Sequence, residues 1–228
     1  MKYFLFLIVT VWMIAVFASC ASKPAAPEPP LVYETGSPGS TPGAGANITS
    51  DYFWRDSSSQ VHEYTAFWPN KEYTASLAAI LSGPLAKDLL NTVPKDAEYW
   101  CYNKYPDKIQ FYLSFISAMS KYESNWSPDT TYSEPDIFDR HGNHVVSTGL
   151  LQVSSESCSG YGMKYLSNSE LKKPENNFEC AVRILSRWIM RDGVIASDLK
   201  GAARYWSVVR PGAKHKKEQI RKMVCIGF

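Results

Sequence analysis

Apolar positions along this chain keep helical spacing far more often than alternation. Leu77, Ile80, Leu81, Leu85, Leu89 and Leu90 follow the steps of one helix face, and Gly83 with Pro84 interrupts them, so two helices are predicted there. Between Ile109 and Trp126, the residues Tyr112, Ile116, Met119 and Glu123 recur at steps of four, three and four, which sets one carboxylate on an apolar stripe. Phe178, Ala181, Val182, Leu185, Trp188 and Ile189 mark the most regular helix, with Pro174 before it and Asn176 or Asn177 as a candidate cap. Shorter helices are predicted at Asp198 to Val208 and Lys216 to Ile226. From Thr130 to Val146 the chain turns polar around Pro135 and the turn pair His141 and Gly142, which predicts a loop or short hairpin. No alternating run exceeds five residues and no repeat is visible, so a mainly α domain is expected.

The N-terminal 50 residues follow other rules. Lys2, an apolar run from Tyr3 to Phe17, then Ala18, Ser19 and Cys20 have the layout of a secretory signal over 1–19, and the run is short for a membrane span. Small residues before a cysteine resemble the bacterial lipobox, which implies lipidation of Cys20. Ala21 in place of aspartate implies release toward the outer membrane. An uncleaved anchor would leave the domain on the same, periplasm-facing side. Residues 20–50 hold six of the fourteen prolines and no core-forming pattern, so they read as a tether with a span of roughly 30 Å. An aromatic-rich entry segment follows at 51–73, whose rings either stack on sugars or pack on the domain expected over 74–228.

Composition narrows the function. The 228 residues are 45% apolar, 20% charged and 14% aromatic, with a formal charge of +2, which gives no electrostatic case for nucleic acid. Five cysteines and four histidines show neither CxxC nor HExxH spacing, so no metal site and no cofactor are expected. With Cys20 assigned to lipid, Cys101, Cys158, Cys180 and Cys225 form an even set for an oxidising compartment. Of the three possible pairings, Cys158 with Cys180 would clip the loop after Val153 to the helix near Asn177, and Cys101 with Cys225 would tie the C-terminus to the domain entry. A catalytic thiol is the competing reading, and it needs a histidine; His141, His144 and His215 all lie in polar stretches.

Glu123 is the candidate acid. At its ordinary pKa of about 4.3 a glutamate is only roughly 0.2% protonated at pH 7, too little for efficient proton donation. On a stripe with Ile116 and Met119 and beside Trp126 it would lose water, and desolvation raises a carboxyl pKa. The plain alternative is an apolar pattern that stops at Tyr122 and leaves Glu123 solvated. The wording decides: Glu123-Ser124-Asn125-Trp126-Ser127-Pro128, followed by Ser147-Thr148-Gly149-Leu150-Leu151-Gln152-Val153-Ser154, closely resembles the soluble lytic transglycosylase (SLT) domain, a relative of goose-type lysozyme. Pro174 to Phe178 and Ala202-Ala203-Arg204-Tyr205 match two further family motifs in order. The resemblance covers roughly Tyr112 to Arg210.

It implies a lysozyme-like helical domain with a hairpin or long loop beside the active-site groove, and cleavage of peptidoglycan between N-acetylmuramic acid and N-acetylglucosamine. Glu123 would be the catalytic acid and base, Ser124 would position it or the sugar, Gln152 would line the groove, and Tyr205 would bring its hydroxyl near Glu123. A lytic transglycosylase leaves 1,6-anhydro ends. A hydrolytic lysozyme of the same fold is the rival, and would need a second carboxylate, for which Asp136, Asp139 and Asp192 are the candidates. A non-catalytic wall-binding lipoprotein is the rival from another class. Glycan strands and, through lipid, a membrane are the expected partners of a monomer. Two departures stand out: Trp206 replaces the family's asparagine, with Ser207 to Arg210 in place of small residues, and the stretch between Glu123 and Gly149 is long and acidic.

Overall fold

The computed structural model of the chain describes residues 53–55, 58–212 and 215–228, so the signal, Cys20 and the tether lie outside the described residues. A short antiparallel pair, β1 (Phe53–Arg55) with β2 (Val61–Glu63), precedes α1 (Lys71–Ser82). Asn70 caps α1 by accepting from the Glu72 N–H, and Gly83 with Pro84 ends it as the spacing predicts, in a 3-10 turn that leads into α2 (Lys87–Asn91). The centre is α3 (Lys108–Ser124), whose ten successive residues Phe111 to Ser120 are all buried. A helix buried on every side needs small residues where neighbours approach. Ser114, Ser117 and Ser120 supply them, and Ser117 returns its hydroxyl to the Leu113 carbonyl at 2.7 Å.

The polar stretch after α3 forms a two-stranded ribbon, β3 (Thr131–Phe138) with β4 (His144–Thr148), whose register slips between Ser133 and Phe138. Then come α4 (Ser155–Gly160), α5 (Asn168–Leu171) and α6 (Pro174–Asp192), which packs along α1. Proline occupies the first position of α6, and neither Asn176 nor Asn177 caps it. The helix predicted at Asp198 to Val208 does not form. That segment makes a tight pair, β5 (Ala196–Ser197) with β6 (Lys200–Gly201), and two 3-10 turns over Ala202–Arg204 and Ser207–Val209. Gly201 sits at φ 60° and ψ −137°, a conformation outside any helix, and its N–H is taken by the Asp192 carboxylate at 2.7 Å. The last helix, α7 (Lys217–Cys225), packs on α3.

Among the entry aromatics, Tyr64 and Trp68 are buried, and Trp68 packs 5.2 Å from Phe178 and donates to the Thr74 hydroxyl. Two disulfides, Cys101–Cys225 and Cys158–Cys180, staple the C-terminal helix to the domain entry and α4 to α6. Replacing both Cys158 and Cys180 with serine is expected to cost about 3 kcal/mol through the 22-residue loop they close. Urea melts of the oxidised protein and the double variant read it, and equal midpoints would count against the bridge as a stabilising element.

Candidate active site

Glu123 stands in the last turn of α3, where the helix is stopped abruptly. Asn125 takes the left-handed conformation at φ 52° and ψ 36° and Trp126 follows at φ 64°, so the chain doubles back on itself. The freed carbonyls are satisfied locally: the Asn125 N–H reaches Lys121, the Trp126 N–H reaches Ser120, and the Trp126 indole donates to Ser117 at 2.9 Å. Lys121 braces the reversal, bonding Asn125 Oδ1 at 2.6 Å with its ammonium 4.3 Å from the Trp126 ring centre. The helix end, and Glu123 with it, is therefore fixed.

Opposite lies the segment from Ser147 to Ser154. Thr148 and Val153 pair as an isolated antiparallel bridge, enclosing Gly149 at φ 80° and Gln152 at φ 46°. Buried side chains tie down its interior. Ser124 donates to the Leu150 carbonyl at 2.9 Å, and the Trp206 indole donates to the Leu151 carbonyl at 2.8 Å. Asn177, fully buried, accepts from the Leu151 N–H and donates to the Thr148 and Leu171 carbonyls, each at 2.9 Å. A Cβ on Gly149 would run into the Asn177 amide and stand 2.8 Å from the Leu171 carbonyl, so this position requires glycine.

Protein surrounds Glu123 on most sides while the residue keeps a solvent-accessible edge, and its pKa is pushed up to about 8. Burial is the main cause. The carboxylate of Glu134 on β3 adds to it, and the Arg210 guanidinium opposes it. Glu134 is oriented by the Ser147 hydroxyl, which donates to it at 2.6 Å. Arg210 is held by carbonyls of the turn before it, donating to Ala203 at 2.8 Å, Arg204 at 3.1 Å and Tyr205 at 3.5 Å. Burial also pushes the Tyr205 phenol up to about 12, with the Ser157 side chain and Ser154 backbone facing its hydroxyl and Glu123 close enough to add to the rise. Glu123 is thus largely protonated at neutral pH beside a second carboxylate and a cation, the charge pattern of an acid that gives up a proton and then bears a negative charge.

The residues predicted from sequence divide accordingly. Tyr205 is brought toward Glu123. Half-buried Gln152 has its amide NH2 committed to the Thr130 and Gly149 carbonyls at 3.0 and 2.8 Å. Ser124 points inward, only 6% exposed, and clamps the loop instead of meeting a sugar. Asp192 is no second carboxylate at the site: its side chain is buried and gripped by Arg204 at 2.6 and 3.0 Å, with its pKa lowered by that partner and by Gly201 against the pull of burial. Asp139 closes the ribbon's turn, accepting from the His141 and Asn143 N–H groups at 2.8 Å. Asp136 is exposed on β3 where the register slips. The carboxylate whose charge reaches Glu123 is instead that of Glu134. It lies on the ribbon's only half-buried β3 position, a weak signal that strand alternation alone could have raised. Among the described residues no group of three His, Cys, Asp or Glu side chains could hold a metal.

The model of the transglycosylase SLT domain matches residues 101–197. No curated protein matches the chain by sequence. Among solved structures the chain is similar to Bd0314 DslA in its wild-type form 2, with 36% identity over 67% of this chain and 87% of that one, at a TM-score of 0.61. It is similar also to two DslA mutants, each with glutamine at a different glutamate, at TM-scores of 0.62 and 0.60 and identities of 36% and 34%, over 67% and 68% of this chain and 87% and 91% of those. The two substituted DslA glutamates lie eleven residues apart.

Keeping Glu123 protonated costs stability as pH rises. Its folded pKa lies above the unfolded value, so between about 4.5 and 8 the native state binds more protons than the unfolded one, and stability falls with pH across that window. Glu123→Gln removes the penalty. It should leave the unfolding free energy unchanged at pH 4 and raise it increasingly up to pH 8, by on the order of 2 kcal/mol after screening at the open edge. A gain of equal size at both pH values would show that the side chain is not held neutral by its surroundings.

Proposed function

Since this chain belongs to the transglycosylase SLT domain family, enzymes that cleave peptidoglycan, we propose that it cuts the β-1,4 bond between N-acetylmuramic acid and N-acetylglucosamine with Glu123 and leaves a 1,6-anhydro end. The observation that carries this reading is a glutamate whose pKa is pushed up to about 8 beside a loop pinned from within. Glu123 gives its proton to the glycosidic oxygen as that oxygen's bond to C1 of the muramoyl sugar breaks. The resulting carboxylate takes the proton of the C6 hydroxyl while that oxygen bonds to C1, which restores the acid. The nucleophile is part of the same sugar, so it gains effective concentration and needs little activation. Arg210 stabilises the carboxylate between the two transfers, and Tyr205, protonated throughout, supplies a hydroxyl donor beside it.

Glu134 favours one second reading, hydrolysis with this carboxylate activating water. Its charge reaches Glu123, and the two are eleven residues apart, the spacing of the two glutamates substituted in DslA. Mass spectrometry of fragments from purified sacculi separates the routes, because anhydro ends are one water lighter than reducing ends. The expected products are anhydro fragments, with Glu123→Gln below a hundredth of wild-type cleavage. Glu134→Gln should stay active, with the alkaline limb of its pH profile moved to lower pH, because the variant lacks a charge that raises the Glu123 pKa. Reducing ends only, together with loss of activity in Glu134→Gln, would make the enzyme a lysozyme.

The N-terminal pattern supports an envelope location, with Cys20 carrying lipid and residues 20–50 holding a monomeric domain off the outer membrane on its periplasmic side. Cys20→Ser should move the protein out of the detergent phase with no change in activity on sacculi. Unchanged partitioning, with no acyl mass on the N-terminal peptide, would defeat the assignment.

A further inference from the structure

At the end of the domain where α3 begins, exposed apolar side chains collect around a disulfide. The Cys101–Cys225 bridge, with Cα atoms 5.4 Å apart, sets Trp100 and Ile226 beside one crossing, and they are 44% and 76% exposed. Phe228, half exposed, has its ring 4.8 Å from that of Tyr105, whose hydroxyl donates to the Val224 carbonyl at 2.6 Å. The 3-10 turn Trp100–Lys104 is fastened to the start of α3, because the Lys108 ammonium donates to the Tyr102 carbonyl at 2.9 Å. Lys104 and Lys222 are exposed at the rim, the first beside Tyr105 and the second four residues before Ile226. The acids nearby are engaged: Glu98 pairs with Lys217, Glu218 pairs with Arg221, and Asp107 caps α3 by accepting from the Ile109 and Gln110 N–H groups. An apolar surface rimmed by lysines remains.

The same end receives the N-terminal chain. Residues 20–50 lead into β1, where Phe53 pairs with Glu63; the next residue, Tyr64, donates to Asp107 at 3.4 Å, two positions from Tyr105. Glu123 stands at the other end of α3, roughly 22 Å away along a helix that rises about 1.5 Å per residue. A tryptophan, an isoleucine and a phenylalanine turned outward among lysines suit a lipid–water interface, where tryptophan rings settle at headgroup depth and lysines meet an anionic leaflet. A second copy of the chain suits the surface less, since a twofold contact would bring the same lysines together. We propose that this end docks on anionic phospholipid of the bilayer to which the N-terminal lipid ties the chain, so that the acid at the far end of α3 is turned away from the membrane, toward the wall. The proposal rests on the lipid anchor at Cys20 and adds an orientation to it: the tether sets how far the domain can stand off, and this end is the one that returns to the surface.

The test reconstitutes the full-length lipoprotein into vesicles of phosphatidylcholine, with or without phosphatidylglycerol, whose brominated acyl chains quench a tryptophan that reaches them. The chain has seven tryptophans, and comparison with Trp100→Phe isolates the one at issue. On phosphatidylglycerol vesicles the wild type should lose a share of fluorescence that Trp100→Phe does not lose. The double variant Lys104→Gln with Lys222→Gln should lower the ratio of docked to undocked protein roughly tenfold, and raised salt should act in the same direction. Flotation of the vesicles reads the anchor separately. Protein that floats but shows equal quenching in wild type and Trp100→Phe would overturn the docking and leave the anchor standing, whereas protein that does not float would overturn the anchor, and this proposal with it. A Trp100 that is shielded from acrylamide in the aqueous phase yet untouched by brominated lipid would put a second copy or the tether over it, and would overturn the membrane as its occupant.

Discussion

A loop that crosses a protein interior must find hydrogen-bond partners for its own backbone, because water cannot reach it there, and the segment from Thr148 to Val153 is such a loop. Asn177 from α6, Ser124 from α3 and Trp206 from the C-terminal part supply those partners. One buried loop thereby joins three elements distant in sequence, and their relative positions are set by bonds of 2.8 to 2.9 Å. The acid at the end of α3, the turn bearing Tyr205 and the start of α4 are all held through it. A cavity or an unpaired carbonyl here would cost more than a lost contact at the surface, since each orphaned buried group carries its full desolvation penalty.

The site places opposing demands on Glu123. Proton donation requires a neutral acid at working pH, which burial and the neighbouring Glu134 arrange, whereas the step after donation requires the same group to tolerate charge. Arg210 meets the second demand without cancelling the first, since the pKa still lies near 8. Its guanidinium is spread over three turn carbonyls and not paired to Glu123 itself, so it acts as a fixed charge in the field of the acid. A direct ion pair would hold Glu123 ionised and remove the donor.

Much of this was legible in the sequence where the relevant physics is local. The stripe of Tyr112, Ile116, Met119 and Glu123, the break at Gly83 and Pro84, and the wording around Gly149 all act within a few residues of themselves. The rest depended on tertiary placement. Asn177 reads locally as a helix cap, because asparagine favours that position, yet the demand it meets comes from a loop 26 residues earlier. Trp206 reads as a lost sugar contact and is a core clamp. Ala202 and Ala203 favour helix, but Asp192 takes the Gly201 N–H and leaves room only for a 3-10 turn. Arg210 carries no helical or strand signal that distinguishes it from a solvated charge, and Glu134 only the weak one of strand alternation; the ribbon's register and the turn's conformation bring them to Glu123.

Those two charges are held differently, and the difference bears on how the acid responds to its substrate. Arg210 is fastened to three carbonyls of one turn, so its distance from Glu123 changes little unless that turn unravels. The Glu134 carboxylate is held by the Ser147 hydroxyl, on a two-stranded ribbon that leaves Tyr132, Ile137 and Phe138 more than half exposed. A two-stranded ribbon with so little burial is marginal alone and takes its position from what it touches. Displacing it outward would take the Glu134 charge away from Glu123 and lower the pKa of the acid, while a sugar covering the open edge would desolvate the acid further and raise it again. The two changes have opposite signs, so a glycan that enters by moving the ribbon can leave Glu123 close to the protonation state from which it started.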